Sequence, residues 1–169
     1  VNAFDWDKEF PQIFGKNCHT DSENLRFSSG FECVIGNPPY VSAPNMVSMM
    51  PEQREAIAKS SRFKTLYQKW DLYIPFIEMS LDYLKEGGLY SAIIPYPFTN
   101  QTYGKLLREK IINEYNLIEV ADLNGTKIFD HATVSNCIPV VEKAKPSGKC
   151  LITHINEQKQ ILPFIEQPY

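Results

Sequence analysis

Four consecutive residues, Asn37-Pro38-Pro39-Tyr40, combine side chains that rarely occur together. With ordinary residue usage, asparagine followed by two prolines and an aromatic residue should arise by chance on the order of once per 100,000 positions. Two adjacent prolines stop both helix and strand, so the segment must form a rigid turn. A plain surface turn would favour glycine or aspartate and would not need the aromatic residue. The segment therefore indicates a binding or catalytic site more strongly than a structural turn.

A turn of this composition could act on a planar amino group. The nitrogen of such a group is a poor nucleophile because its lone pair is delocalised into the attached ring. An asparagine oxygen and a main-chain carbonyl fixed by prolines could accept its two hydrogens and aim the lone pair at a methyl donor. No strong base is needed, since the methylated product loses its proton easily. The aromatic residue adds a stacking face for a flat base, worth roughly 1–3 kcal/mol, and a base in a duplex must first be flipped out to reach it.

Composition and charge limit the remaining functions. The chain has 169 residues, of which 43% are hydrophobic and 22% charged, as in an ordinary soluble globular domain. No apolar stretch is long enough to cross a bilayer, so we expect a soluble, cytoplasmic protein. The net charge of −3 argues against strong nucleic-acid binding by the chain alone, because non-specific affinity depends on neutralising phosphates. The cysteines form no Cys-x-x-Cys pair, so we expect no metal site.

Apolar periodicity predicts the elements around the turn. In chain order, these are a buried strand at Phe31–Gly36, a loop at Val41–Met50, a helix at Pro51–Ser61 and a helix at Leu72–Lys85. We expect Asp71 to cap the last helix and the Gly87-Gly88 pair to end it. One face of this helix is predicted to be apolar, and it consists of Tyr73, Phe76, Ile77, Leu81 and Leu84.

The second half of the chain continues the alternation of strands and helices. The predicted elements are a strand at Leu89–Ile94, a helix at Gln101–Asn113 with Thr99 and Asn100 as capping candidates, a strand at Leu117–Leu123, a hairpin-like pair at Lys127–Phe129 and Val134–Glu142, and a strand at Leu151–Ile155. Such alternation predicts an α/β fold with a parallel sheet flanked by helices, here ending in an antiparallel hairpin. Ligands of these sheets bind beyond the carboxyl ends of the strands, where the Asn-Pro-Pro-Tyr turn is predicted to lie.

Four segments, in order, resemble the motifs of the gamma-type adenine-N6 DNA methyltransferases, the TaqI-like and Type IIG restriction–modification enzymes. Phe31–Tyr40 is similar to the segment that carries the family's Asn-Pro-Pro-Tyr turn, and Trp70–Glu78 to its Asp-Leu-Tyr helix. Leu84–Pro95 resembles its Leu-Lys-x-Gly-Gly strand entry, and Lys127–Phe129 with Ala132–Val134 resembles its late Val-Phe motif. The resemblance implies a partial Rossmann-like S-adenosylmethionine-dependent methyltransferase fold, made of the later strands of the sheet.

The resemblance also implies which residues hold the substrate. Asn37 and the Pro38 carbonyl would accept the two hydrogens of the adenine amino group, and Tyr40 would stack on the flipped base. Phe129 would pack against the other side of that base, although an aromatic residue at the end of a short strand is as often simply buried.

The implied cofactor pocket shares part of this site. Asn37, Pro39 and Phe76 would border the S-adenosylmethionine pocket, although Phe76 could also be an ordinary core residue on the apolar face of its helix. Asp71 could anchor a loop or a substrate, but helix capping is the simpler interpretation.

The family's glycine-rich cofactor turn has no counterpart in this sequence. No Gly-x-Gly precedes Asn37, and residues 1–30 are too few and too polar to hold the strands that would carry it. We expect residues 1–30 to form a loop-rich lead-in, in which Phe4, Trp6, Phe10 and Phe14 pack on the domain. Residues 31–143 would be a fragment of the catalytic domain, and residues 144–169 an extension or linker. The glycine-rich half of the fold and a target-recognition domain would belong to a longer parent protein.

Several expectations for the isolated chain follow from this organisation. It should bind S-adenosylmethionine weakly or not at all, lack activity by itself, and reach double-stranded DNA only through the parent protein. The strand edge at Cys33–Ile35 should be exposed where a missing strand would pair, which invites self-association.

Other functions fit the same sequence. Release-factor glutamine methyltransferases also place Asn-Pro-Pro-Tyr on a planar amide, and some RNA guanine-N2 enzymes use related turns. From a different class, the chain could be a non-catalytic binding fragment of a restriction complex, because the cofactor turn is missing. The Asp-Leu-Tyr helix and the Val-Phe motif favour adenine in DNA.

Overall fold

The structure is a computed structural model that describes residues 5–14, 29–126, 135–155, 160–161 and 165–169. Its strands are β1 (Phe31–Gly36), β2 (Leu84–Ala92), β3 (Ile94–Pro95), β4 (Asn116–Asp122), β5 (Asn136–Glu142), β6 (Lys149–His154) and β7 (Ile165–Pro168). Its helices are α1 (Trp6–Glu9), α2 (Pro11–Phe14), α3 (Ala43–Met49), α4 (Pro51–Lys59), α5 (Tyr73–Asp82) and α6 (Lys105–Glu114), with short 3₁₀ turns at Tyr96–Thr99 and Thr102–Gly104. In the described part of the chain, no helix has the length and apolar character needed to cross a membrane.

The strands form one mixed sheet in the order β1-β2-β5-β4-β6-β7, with the short β3 also pairing with β5. The β1–β2 and β4–β6 pairs are parallel. Helices connect β1 with β2, so this pair agrees with the predicted alternation of strands and helices. β5 runs antiparallel between β2 and β4, and β7 is an antiparallel strand beside β6. The predicted α/β fold is therefore confirmed, and its antiparallel strand lies inside the sheet. The other half of the predicted hairpin, Lys127–Phe129, lies outside the described residues.

The hydrophobic core lies between α5, α6 and the adjoining strands. Its largest members with almost no exposure are Met46 from α3, Tyr73, Ile74, Ile77 and Leu81 from α5, Leu84 from β2, Ile94 from β3, Leu107 from α6 and Val141 from β5. Helices α5 and α6 each connect two strands of the sheet, so their apolar stripes must pack on it.

Helix α5 is shorter than predicted and its ends differ. Leu72 occupies the N-cap position, and its side chain makes no capping hydrogen bond to the helix. The prediction that Asp71 caps this helix is therefore wrong. The Gly87-Gly88 pair lies inside β2 rather than ending a helix. The strand register slips between Phe31, opposite Leu84, and Cys33, opposite Leu89. Gly87 has φ +75°, and a Cβ on Gly88 would lie 2.8 Å from the Phe31 carbonyl, so the two glycines allow this irregularity.

Strand β1 has the predicted bounds but is not buried. Among the described residues it is an end strand that pairs only with β2, and Ile35 is 81% exposed. Only Phe31 and Val34 are half-buried. The predicted exposed edge is therefore present, whereas the prediction of a buried strand is wrong because burial depends on neighbours that the strand's own sequence does not reveal.

The described part of the lead-in, residues 5–14, contains the two short helices α1 and α2. Three of its aromatic residues pack as predicted: the rings of Trp6, Phe10 and Phe14 lie 6.0, 5.5 and 5.2 Å from the ring of Phe31. Phe4 lies outside the described residues. The lead-in therefore covers the beginning of β1, while Ile35 near the end of this strand stays exposed.

Two more predicted boundaries are corrected. The predicted loop at Val41–Met50 contains helix α3. Met46 is the single side chain of this helix with 0% exposure, so the sequence shows no repeated apolar spacing from which the helix could have been predicted. Helix α6 begins only after Gly104, and neither Thr99 nor Asn100 caps it. Strands β6 and β7 continue the sheet beyond residue 143.

A buried carboxylate on α5 holds the segment that precedes this helix. Glu78 is 0% exposed and accepts hydrogen bonds from the main-chain N–H of Lys64 at 2.9 Å and of Thr65 at 3.1 Å. The Thr65 hydroxyl donates a third at 2.6 Å, and the Lys110 ammonium lies 3.7 Å away. A buried charge of this kind is stable only because each oxygen has partners.

We expect Glu78→Ala to lower the free energy of unfolding by about 3 kcal/mol, because two main-chain N–H groups lose their acceptor. Chemical denaturation of the chain measures the change. The matched control is Glu55→Ala, which removes an exposed carboxylate paired with Lys59 and should cost less than about 1 kcal/mol. Equal losses in the two variants would contradict the structural role given to Glu78.

Candidate active site at the carboxyl ends of β1 and β2

The Asn-Pro-Pro-Tyr turn leaves β1 at the predicted edge of the sheet. Gly36, the last residue of β1, pairs with Ala92 at the end of β2, and its carbonyl accepts a hydrogen bond from Ile93 N–H at 3.2 Å. Residues 37–42 then form neither helix nor strand. Asn37 and Pro39 are exposed, whereas Tyr40 is half-buried. Exposed and half-buried residues thus alternate along the turn, since Pro38 is also half-buried.

A cavity of about 230 Å³ adjoins the first three residues of the turn. Its walls come from β1, the turn, α5 and β2, and the lining residues are Val34, Ile35, Gly36, Asn37, Pro38, Pro39, Phe76, Ser80, Tyr90 and Ala92. The structure thus brings together Asn37, Pro39 and Phe76, the three residues predicted to border a cofactor.

Phe76 does not lie on the buried face of α5, although the apolar periodicity predicted it there. Its side chain is 39% exposed and lines the cavity, so it is not a core residue. The adjoining Ile77 is fully buried, which shows that the two side chains leave the helix on different sides. An exposed aromatic ring on a cavity wall is suited to stacking against a flat ligand.

Tyr40 faces the other side of the turn and does not line the cavity. Its hydroxyl donates a hydrogen bond to the Ile93 carbonyl at 2.8 Å and accepts one from Asn136 Nδ2 at 3.2 Å. Burial raises the pKa of the Tyr40 phenol to about 12, so the phenol is protonated at neutral pH and can donate to the carbonyl. No motif in the sequence marks Asn136, which lies 96 residues along the chain from Tyr40.

Asp71 anchors the chain that follows the turn. One of its carboxylate oxygens accepts a hydrogen bond from Ala43 N–H, the first residue of α3, at 2.7 Å. The next residue, Leu72, donates its N–H to the Val41 carbonyl at 2.9 Å. Asp71 therefore anchors a loop, which was the alternative interpretation of this residue. It also caps the N-terminus of α3, although it is not part of that helix. Burial raises the pKa of this carboxyl group, and its hydrogen bonds to Ala43 and Tyr103 oppose the shift.

The described residues add no further predicted site residue to this cavity. Phe129 and the rest of the late Val-Phe motif lie outside the described residues. Within the described residues, no group of three or more His, Cys, Asp or Glu side chains could hold a metal ion. A second cavity, of about 290 Å³, lies under α6 away from the turn, and its lining is mainly apolar. The candidate site is therefore the turn with the cavity beside it.

Comparison with known proteins gives the chain its family. The family model described as "Eco57I restriction-modification methylase" matches residues 1–129. The chain belongs to this family. It is 36% identical over 126 residues to the Type II methyltransferase M.XhoI of Xanthomonas vasicola, and 36% identical over 123 residues to the Type II methyltransferase M.BstVI of Geobacillus stearothermophilus. These alignments cover 74% and 72% of this chain but only 22% and 21% of the relatives.

Solved structures share the fold of this chain. The type IIG restriction endonuclease BpuSI superposes with a TM-score of 0.58 and 15% identity, over 81% of this chain and 19% of the other. A Listeria monocytogenes protein named as a class I S-adenosylmethionine-dependent methyltransferase superposes with a TM-score of 0.56 and 17% identity, over 78% of this chain and 38% of the other. The second superposition confirms the predicted methyltransferase fold.

We expect Asp71→Ala to loosen the segment after the turn, because Ala43 N–H loses a charge-assisted hydrogen bond. Hydrogen–deuterium exchange at Ala43 should become faster by a factor on the order of ten to one hundred. Asp71→Asn keeps an acceptor oxygen, so its exchange should stay close to that of the unchanged chain.

The pH dependence of stability gives a second test of the Asp71 carboxyl group, through the variant Asp71→Asn. A carboxyl group with a raised folded pKa stabilises the fold at pH values below its unfolded pKa, and this contribution is lost as the pH rises through the folded pKa. Asp71→Asn should therefore keep or raise the thermal midpoint at neutral pH and flatten its dependence on pH in the acid range. A lower neutral midpoint for Asp71→Asn would contradict this account of the buried carboxyl group.

Proposed function

We propose that this chain forms the target-base side of a restriction–modification methyltransferase that transfers a methyl group from S-adenosylmethionine to N6 of adenine in DNA. The observation that carries the proposal is the position of the Asn37–Tyr40 turn at the carboxyl end of β1, with Asn37 exposed beside a cavity. Membership of the Eco57I methylase family supports the same activity. The similarity of Trp70–Glu78 to the Asp-Leu-Tyr helix favours adenine over other amino groups.

The turn would make the amino group nucleophilic by accepting its hydrogens. The Asn37 side-chain oxygen and the Pro38 carbonyl would take one hydrogen each, which draws the nitrogen out of the plane of the base. Its lone pair then points to the cavity beside the turn. Because Pro39 follows Pro38, the carbonyl cannot rotate away during the reaction. After transfer, the surplus proton on nitrogen passes to water, so the residues need not include a strong base.

The cavity would hold part of the cofactor. S-adenosylmethionine supplies the electrophilic methyl group when bound. Its adenosine fits the chemistry of the wall, since Phe76 offers an exposed ring for stacking and Asn37 a polar amide. The chain spans about a fifth of its Type II methyltransferase relatives, and we place the glycine-rich cofactor turn and the DNA-recognition residues in the remainder of such a parent protein.

The base would lie on the opposite side of the turn. Tyr40, which faces away from the cavity toward β2 and β5, would stack on the flipped adenine. Phe129 stays a prediction for the second stacking partner. The parent protein would then hold methyl donor and base on either side of Asn37 and Pro38.

We expect Asn37→Ala in the full-length parent protein to reduce methyl transfer to DNA at least 100-fold, because one of two preorganised polar groups at the reacting nitrogen is lost. Transfer of tritiated methyl groups to unmethylated DNA measures the rate, and nucleoside analysis identifies the product. The matched control is Asn45→Ala, an exposed asparagine on α3, which should leave the rate unchanged.

The identity of the methylated product decides between the related activities. N6-methyladenine that disappears with Asn37→Ala supports the proposal. Methylation of a release factor in place of DNA would overturn it in favour of the glutamine methyltransferase alternative. An unaffected rate with Asn37→Ala would overturn the role of the turn.

We expect Phe76→Ala to raise the KM for S-adenosylmethionine by a factor on the order of ten, which corresponds to the loss of one stacking contact. The KM for DNA and the thermal midpoint should change little, because Phe76 is not part of the core. Tyr67→Ala is the control, since Tyr67 is similarly exposed and does not line the cavity. A large fall in the thermal midpoint with an unchanged KM would instead make Phe76 a packing residue.

A further inference from the structure

We propose that Asn136 is a positioning residue that, with the Ile93 carbonyl, holds the Tyr40 ring in the orientation in which it stacks on the target base. This inference rests on the function proposed above. It assigns a role in that reaction to a residue of β5, outside the segments that resemble the family's motifs.

The hydrogen bonds around Tyr40 have only one consistent direction. The Ile93 carbonyl can only accept, so the phenol donates its single hydrogen there, at 2.8 Å. The phenol oxygen must then accept from Asn136, whose Nδ2 lies 3.2 Å away. The second hydrogen of the same Nδ2 has the Ile94 carbonyl 3.3 Å away. Each hydrogen of the Asn136 amide therefore has one acceptor, and the phenol has one donor and one acceptor.

Asn136 is fixed well enough to act as a reference point. It is 2% exposed, its backbone pairs with Pro95 across β3 and β5, and its carbonyl accepts a hydrogen bond from Leu123 N–H at 3.1 Å. The side chain therefore begins from a backbone held on two sides. An amide anchored in this way cannot follow the Tyr40 ring if the ring swings, so it restrains the ring at its far end.

The restraint matters because the turn holds only the near end of the ring. A tyrosine attached to an exposed turn can change rotamer, and each excursion would remove the stacking face from the base. Hydrogen bonds at the hydroxyl group restrict both the tilt and the rotation of the ring before the base arrives. Preorganisation of this kind improves binding by reducing the freedom lost on association. The expected result is a higher affinity for the flipped base and little change in the affinity for the cofactor.

The experiment is a double-mutant cycle in the full-length parent protein, with Asn136→Ala, Tyr40→Phe and the double variant. Asn136→Ala is expected to raise the KM for DNA on the order of fivefold to tenfold and to leave the KM for S-adenosylmethionine within twofold. Tyr40→Phe keeps the ring and removes the hydroxyl group, so it should give a similar rise. In the Tyr40→Phe background, Asn136→Ala should add almost nothing to the KM for DNA, because the contact is already lost.

The outcomes separate a positioning role from a purely structural one. Equal additional effects of Asn136→Ala in both backgrounds, or parallel changes in both KM values, would overturn the inference, since Asn136 would then act on the sheet rather than through Tyr40. Asn124→Ala, which changes an exposed asparagine between β4 and β5, is the matched control and should alter neither KM. If Asn37→Ala abolishes DNA methylation while the cycle shows no coupling, the inference fails and the proposed function stands. If the parent methylates no DNA, both fail.

Discussion

Two consecutive prolines after β1 impose the constraint on which the candidate site depends. Neither can donate a main-chain hydrogen bond, so the segment that carries Asn37 and Tyr40 cannot be stabilised by a sheet ladder or a helix. Its position must then be set by groups from other elements. Asp71 and Leu72 hold the chain just after the turn, and Ile93 and Asn136 hold the Tyr40 hydroxyl group. The backbone of the turn is rigid by itself, but contacts from distant parts of the chain determine where the turn lies in the fold.

Helix α5 links this site to the core because its sides differ. Tyr73, Ile77 and Leu81 bury one side, and the carboxylate of Glu78 holds the segment that leads into the helix. Phe76 emerges toward the cavity instead. The stability of the buried side therefore fixes the Phe76 ring and, through Asp71 just before the helix, the position of α3. Substitutions in the α5 core would be expected to disturb both sides of the turn together.

The sequence predicts the turn and the α/β fold, because each depends on a short pattern or on strand and helix order, whereas the grouping of Asn37, Pro39 and Phe76 was implied only by the resemblance to the methyltransferase family. Contacts between distant segments leave no such pattern. Asn136 is a polar residue at the start of an apolar strand, and only the antiparallel insertion of β5 beside β2 brings it to Tyr40. Asp71 precedes a helix, so capping that helix was the simpler interpretation until the structure showed that it binds Ala43 instead. The prediction that β1 is buried was wrong for a related reason, since the burial of a strand depends on its neighbouring strands.

The two sides of the turn differ in how far the described chain completes them. On the Tyr40 side, the hydroxyl group has both its donor and its acceptor within β2, β5 and the residues between them. On the Asn37 side, the cavity wall includes Ile35, whose exposed strand has a partner on one edge only among the described residues. Under the proposed function, the orientation of the base would therefore depend mainly on residues of this chain. In the proposed methyltransferase, a strand of the parent protein that pairs with the free edge of β1 would cover Ile35 on the cavity wall, and affinity for the cofactor would then depend on that strand.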